Sequence, residues 1–249
     1  MDKIYGNLIC ASLFTGAYDV NRNEILPNDD FRIIEKWCQS IQALGLKGLV
    51  FHNHFTEKTL SSANPDFIQF IRVDFEGPLS ANAFRYLVYA DFLKKHYTQI
   101  KNIFFTDIAD VEVVKNPFED SFYTENPMSI FCGDEEETLD NPWMKAHSTH
   151  LRNQIPDFTS YEQANSHQQL LNCGIIGGKI SHILPLMQQL SYIHRTYTIT
   201  NQTPYTLDMG AFNYVMRTAF ENQIKHGPPV NTRFKSYESA RTDCWFRHK

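Results

Sequence analysis

Apolar positions recur along this chain in two alternating rhythms, one of strands and one of helices. Residues 7–14, NLICASLF, are an unbroken run of apolar and small side chains, which predicts a buried strand, and they close on the turn-rich TGAYDVNRN. PNDDFRIIEKWCQSIQAL then sets Phe31, Ile34, Trp37, Cys38, Ile41 and Leu44 at helical spacing behind an Asn28 or Asp29 cap. GLKGLVFHN opens a second strand at Gly48, and DFIQFIRVDF (66–75) alternates as a third. SANAFRYLVYADFLKKHY (80–97) predicts a capped, aromatic-rich helix, followed directly by the apolar Ile103, Phe104 and Phe105 of another strand. Strand, helix, strand, strand, helix, strand is the rhythm of an α/β sheet with parallel pairs, whose ligands gather at the carboxyl ends of the strands.

Beyond residue 118 the rhythm loosens. Residues 119–160 are polar, proline-dotted and aromatic, which predicts loop and short elements in a lid or acceptor region, with Asp134–Glu137 as a solvated loop. Phe122, Tyr123, Trp143 and Phe158 read as core residues. QQLLNCGIIGGKIS (168–181) predicts a strand that breaks at Gly177–Gly178 into the helix SHILPLMQQLSYIHRTY. A further helix, LDMGAFNYVMRTAFENQIK (207–225), precedes strand-like VNTRFKSYE and CWFRHK.

Composition narrows the classes. With 249 residues, 42% of them hydrophobic, the chain suffices for one large core, and no stretch reads as an inter-domain linker. The net charge of −5 is interspersed, with no basic run longer than two residues, which argues against nucleic acid as a partner. The opening MDKIYGNLICASLF lacks signal-peptide form, and its apolar stretch is too short for a membrane span. A cytoplasmic protein is expected, in a host's cytoplasm if the chain is viral, with peripheral membrane association left open. The five cysteines, Cys10, Cys38, Cys132, Cys173 and Cys244, are odd in number and widely spaced, as reduced core residues are.

The candidate chemistry begins at IFFTDIADVEVVKNPF (103–118), where a buried strand exits into Asp107 and Asp110. Two carboxylates there repel and lose solvation unless a positive group sits between them. A hard divalent cation, Mg²⁺ or Mn²⁺, takes such carboxylates together with ligand phosphates. The same pair also reads as a turn cap beside a solvated carboxylate. Asn172, Gly174, Gly177 and Gly178 lie around a strand where absent side chains let a ligand approach the backbone, or where the chain simply bulges or turns. Arg22 in the first turn suits bidentate phosphate contact, or is a surface arginine. His52 and His54 lack a third metal partner nearby and read as hydrogen-bonded histidines of a strand-end turn.

Taken in order, FFTDIADVEVVKNPF, NCGIIGG, DMGAFNYV and the terminal WFRHK resemble the GT-A nucleotide-sugar glycosyltransferases with a DxD-like motif, nearest to bacterial and large-virus members. The resemblance runs from Phe14 to His248 and implies a mostly parallel, mixed, Rossmann-like sheet flanked by helices in a single domain. Residues 1–118 would be its nucleotide-binding half and 119–249 its acceptor-binding half. It also implies a divalent metal and sugar transfer from a nucleoside diphosphate donor, UDP foremost, to a glycan, lipid-linked or other hydroxyl acceptor. Asp110 would ligate the metal with His248, and Asp107 would lie near the ribose, the donor sugar or the metal. Two residues separate the aspartates where the usual motif has one, which leaves the division between them open. Phe14, Thr15 and Arg22 would contact the nucleotide, and Arg85, Asn172, Cys173 and Gly174 the donor sugar. Asp208 would be the base that takes the proton from the acceptor. A sugar-nucleotide nucleotidyltransferase and a non-catalytic nucleotide-sugar-binding protein are the alternatives; the former normally carries a more glycine-rich, basic first loop than FTGAYDVNRN.

Overall fold

The computed structural model describes residues 6–16, 18–19, 24–75, 77–199, 208–233, 238 and 240–248. Among them are β1 Gly6–Leu13, β2 Tyr18–Asp19, β3 Glu24–Ile25, β4 Gly48–His52, β5 Ile68–Arg72 and β6 Ile100–Thr106. They are followed by β7 Val111–Val113, β8 Ile130–Thr138, β9 Gln169–Lys179, β10 Ile224–His226 and β11 Phe246–His248. Seven strands form one sheet in the order β10-β8-β9-β6-β1-β4-β5. β1 is parallel to β4 and β6, β4 to β5, and β10 to β8, while β9 runs antiparallel to both β6 and β8. The result is a mostly parallel mixed α/β sheet flanked by helices, consistent with a Rossmann-like fold.

Period-two alternation divides each strand between two cores. On β6, Ile103 and Phe105 enter the core built with the helices Ala81–Lys95, Ile180–Ile193 and Asp208–Ala219. Phe104 enters the opposite core, with Trp37 of the helix Glu35–Ala43 and with Trp245 and Phe246. Phe104 is fully buried and lies 5.0–6.3 Å, centroid to centroid, from the rings of Phe118, Tyr123, Phe131, Trp245 and Phe246. Burial of one such ring contributes about 2–3 kcal/mol, before any preference for tilted aromatic pairs.

Topology sets where a ligand can sit. The chain lays β4 and β5 on one side of β1 and then places β6 on the other, so strand order reverses between β1 and β6. In open α/β sheets the crevice at the carboxyl ends of such a pair is the binding position. Phe14, Thr15 and Asp107 emerge there.

Several expectations need correction. The first helix is entered through a short 3₁₀ turn, Phe31–Ile33, capped by Asp30 rather than by Asn28 or Asp29. Asp29 instead accepts from the backbone N–H of Thr56 at 3.1 Å and so ties down the loop after β4. The segment expected as loop contains the nine-residue strand β8. Its polar half, GDEEET, hides the strand from any hydrophobic pattern, but β10 pairs with residues 130–132 on one side and β9 with residues 130–134 and 138 on the other. Asp134, expected to be solvated, is 2% exposed. β9 does not break at Gly177–Gly178 but continues to Lys179, because Gly177 is a contact point and not a turn. A Cβ there would lie 2.0 Å from Cδ1 of Phe104. β10 was not expected as a strand, and of VNTRFKSYE only Asn231 makes a bridge, to Phe246, among the described residues. The five cysteines are free and buried, as expected. No helix among the described residues is long and apolar enough to cross a membrane.

Gly177→Ala is therefore expected to destabilise the fold by about 3 kcal/mol, since the intruding methyl must displace a fully packed ring. Urea unfolding followed by circular dichroism checks it, and a variant as stable as the native protein would contradict the packing described.

Candidate metal centre

β6 ends at Thr106, whose Oγ1 accepts from the Trp37 indole N–H at 2.8 Å. The chain then bends through residues 107–110, with Ile108 buried as the anchor of the turn. This bend brings Asp107 and Asp110, both half-buried, to one side. β7 follows at once and pairs antiparallel with β11, setting His248 opposite Val111, next to Asp110. Thr232 locks that strand: its Oγ1 accepts from the His248 N–H at 2.8 Å and its hydroxyl donates to the His248 carbonyl at 3.2 Å. One ligand atom from each of Asp107, Asp110 and His248 lies within 4.8 Å of the others, a cluster able to hold a metal ion.

β9 supplies the floor. Being antiparallel, it presents its first residues, Asn172 to Gly174, at the carboxyl end of β6. The Asp107 N–H donates to the Gly174 carbonyl at 2.7 Å, and the Gly174 N–H donates to Oδ1 of Asn172 at 2.7 Å. A Cβ at Gly174 would lie 2.7 Å from both Asp107 Oδ2 and His248 Cε1, so glycine leaves the space in which the ligand atoms converge. The donor set suits the group it was expected to hold. Two carboxylates and an imidazole nitrogen are a donor set able to hold a divalent metal ion. Burial keeps the His248 ring below the usual histidine range, against the opposing pull of Asp107 and Glu135, and so in the neutral form that ligates metals.

Behind this cluster lies a buried ionic network. Arg85, on the helix Ala81–Lys95, donates through Nη1 to Oδ1 of Asp107 and through Nη2 to Oδ2 of Asp208 at 3.2 Å. Burial opposes its charge, and Tyr86, Asp107, Cys173 and Asp208 more than offset that cost. Burial and the neighbouring Asp208 push the Cys173 thiol up, so it stays protonated, its S–H aimed at Oδ2 of Asp208 from 3.5 Å. Fully buried His194 stacks on Tyr86 with ring centroids 5.2 Å apart and bonds Thr198 Oγ1 through Nδ1 at 3.0 Å. Burial brings it down to about 4, with Asp208 pulling upward and Arg85 downward.

The expected site residues thus fall into two neighbouring groups: Asp107, Asp110, His248, Asn172 and Gly174 around the metal position, and Arg85, Cys173 and Asp208 behind it. Phe14 and Thr15 stand at the end of the adjacent strand. Phe14 is packed against Phe75 and Phe84 at 5.4 and 5.2 Å. Thr15 is held by Asn53, whose amide accepts from the Thr15 N–H at 3.0 Å and donates to the Thr15 carbonyl at 2.9 Å. His54 bonds the Thr15 hydroxyl at 3.1 Å, and His52 accepts from the Phe55 N–H at 3.1 Å, so both histidines serve a strand-end turn as expected. Arg22 lies outside the described residues. Asn53, Glu135 and Thr232 were not anticipated. Glu135 had no readable signal of its own: it lies in the acidic run GDEEET, and IFCGD matches IFFTD at Asp134.

No protein-family model matches the chain, and no curated protein matches it in sequence.

Two outcomes are expected. Gly174→Ala should weaken Mn²⁺ binding by at least about tenfold while the protein still folds, because its methyl occupies the convergence point and displaces ligand atoms; isothermal titration with Mn²⁺ reads this, and unchanged affinity would contradict the placement. His194 carries its pKa below the unfolded value, so its contribution is complete at neutral pH. That contribution is lost as pH falls from about 6.5 toward 4, by on the order of a few kcal/mol. Denaturation curves across this window should slope less for His194→Gln than for the native chain, and parallel slopes would refute the assignment.

Proposed function

We propose that the chain is a metal-dependent glycosyltransferase of the GT-A type, moving a sugar from a nucleoside diphosphate donor, UDP-linked foremost, to a hydroxyl acceptor. One observation carries the reading: Asp107, Asp110 and His248 converge at the carboxyl end of β6, beside the point where strand order reverses. That crevice suits a nucleotide, and the carboxylates suit the cation that accompanies its phosphates. Asp107, Asp110 and His248 would hold Mn²⁺ or Mg²⁺, which supplies charge to a departing diphosphate.

The chain's own residues prepare that site. Arg85 holds Oδ1 of Asp107, which leaves Oδ2 as the atom nearest His248, at 4.0 Å from Nε2. Asp208, 4% exposed and bonded to the same guanidinium, fixes Arg85 from behind. Arg85 is thereby a fixed, buried positive charge behind Asp107, which holds that carboxylate ionised and oriented for a cation. Asn53 freezes the Thr15 backbone, so the mouth of β1 is rigid before a ligand arrives. Asn172 offers an amide of the kind sugar hydroxyls require, and Gly174 admits the ligand to the backbone.

Thermal unfolding with UDP, GDP, CMP and dTDP, each with and without Mn²⁺, tests the proposal on the native protein and on Asp110→Ala. One nucleotide at a hundredfold excess over its Kd should raise Tm by roughly 5–10 °C, only with Mn²⁺ and only with Asp110 intact. No shift with any nucleotide in Mn²⁺ would overturn the reading. Pyrophosphate release from a nucleoside triphosphate and a sugar phosphate would replace it with nucleotidyl transfer.

A further inference from the structure

The middle of β8 holds two adjacent acidic residues in opposite situations. Asp134 is buried, its Oδ2 3.1 Å from Nδ1 of His226 and its Oδ1 3.5 Å from Nε of Arg233. Gly227, at φ +70°, packs on the same carboxylate, where a Cβ would lie 3.0 Å from Oδ2. A buried carboxylate gripped by two side chains from the β10 side is a clamp on β8 at Asp134. The pairing of β8 with β9 shifts register directly after Asp134, so the clamp on Asp134 sets the point from which the chain carries Glu135.

Glu135 is half-buried, and its side chain meets β9 at Asn172. Its Oε1 accepts from Nδ2 of Asn172 at 2.6 Å. The other end of that amide, Oδ1, accepts from the N–H of Gly174, the residue facing Asp107 and His248. A single side chain therefore joins Glu135 to the floor of the candidate metal centre. Asp208, the residue expected to act as base, is the poorer candidate: it is more deeply buried, and its Oδ2 is engaged by both Arg85 and Cys173.

We propose that Glu135 is the catalytic base that takes the proton from the attacking hydroxyl, with Asp134, His226 and Asn172 as its positioning residues. The inference rests on the transferase reading above. In the step, the hydroxyl proton of the acceptor passes to the Glu135 carboxylate while the acceptor oxygen forms a bond to the anomeric carbon. The bond from that carbon to the diphosphate oxygen breaks, and its electron pair leaves with the nucleoside diphosphate. The proton returns from Glu135 to solvent before the next turnover. A single displacement of this kind inverts the anomeric configuration. Arg85 and Asp208 then belong to the leaving-group side, and Glu135 to the acceptor side.

Water can replace the acceptor, so the test needs no knowledge of the natural one. Native protein, Glu135→Gln and Glu135→Asp are incubated with Mn²⁺ and UDP-glucose, UDP-galactose, UDP-N-acetylglucosamine or GDP-mannose, and the anomer first released is read by proton NMR. Glu135→Gln preserves the acceptor atom for Asn172 and should keep the Mn²⁺-dependent thermal stabilisation by nucleotide, yet lose about 10²–10⁴-fold in kcat. Glu135→Asp, shorter but still a base, should retain more activity than Glu135→Gln; a purely structural residue would show the reverse order. Undiminished turnover in Glu135→Gln, loss of nucleotide stabilisation in that variant, or release of the retained anomer would each overturn the assignment. Nucleotide stabilisation of the native protein without hydrolysis of any of the four donors would overturn the role of Glu135 and leave the nucleotide site standing. Absence of nucleotide stabilisation in the native protein would remove both.

Discussion

Repulsion among carboxylates at one end of the sheet is the constraint around which the rest of the molecule is arranged. Asp107 and Asp110 leave β6, Asp208 begins a helix close behind them, and Glu135 lies in the second half of β8. Arg85 is the buried cation that makes the arrangement tolerable, because it meets Asp107 with one nitrogen and Asp208 with another. A guanidinium can do this where an ammonium cannot, since its donors diverge in a fixed plane. Taking Arg85 away would strip Asp107 and Asp208 of their shared cation, which is far costlier than the net value of either pair.

The second organising element is β9. A parallel-only sheet would carry the start of each strand away from the binding edge, but an antiparallel strand brings its own start to that edge. β9 therefore delivers Asn172, Cys173 and Gly174 beside Asp107. It also joins the two halves of the chain through one sheet, because β6 lies on one side of it and β8 on the other. Close approach at both ends of the strand depends on glycine. Gly174 makes room for the converging ligand atoms, and Gly177 makes room for the Phe104 ring.

Legibility in the sequence followed the strength of local periodicity. β1, β4, β5, β6 and the helix Ala81–Lys95 were read close to their observed limits, because each has an apolar pattern or a cap that local sequence decides. β8 and β10 were missed for the same reason. The second half of β8 is acidic, and β10 has three residues, so neither forms a pattern that stands above loop composition. The aspartates were legible as a pair, since an apolar strand that exits into two carboxylates is unusual in itself. Glu135 was not, because its neighbours Asp134, Glu136 and Glu137 look identical to it on paper, and only burial separates them.

By itself, the sequence determined the α/β class, the first helix and strand sequence, and the presence of a carboxylate pair at a strand exit. Those features depend on residues a few positions apart, whose interactions local geometry dictates. His248 was expected as a ligand from the resemblance, but tertiary structure alone decided how a residue more than a hundred positions away reaches the cluster, through β11 and Thr232. It decided too that Arg85 spans Asp107 and Asp208, and that Asp134 is clamped from the β10 side while Glu135 meets β9 at Asn172. Each of these is a contact between distant segments, set by strand order and by the antiparallel entry of β9, and no spacing along the chain encodes such a contact.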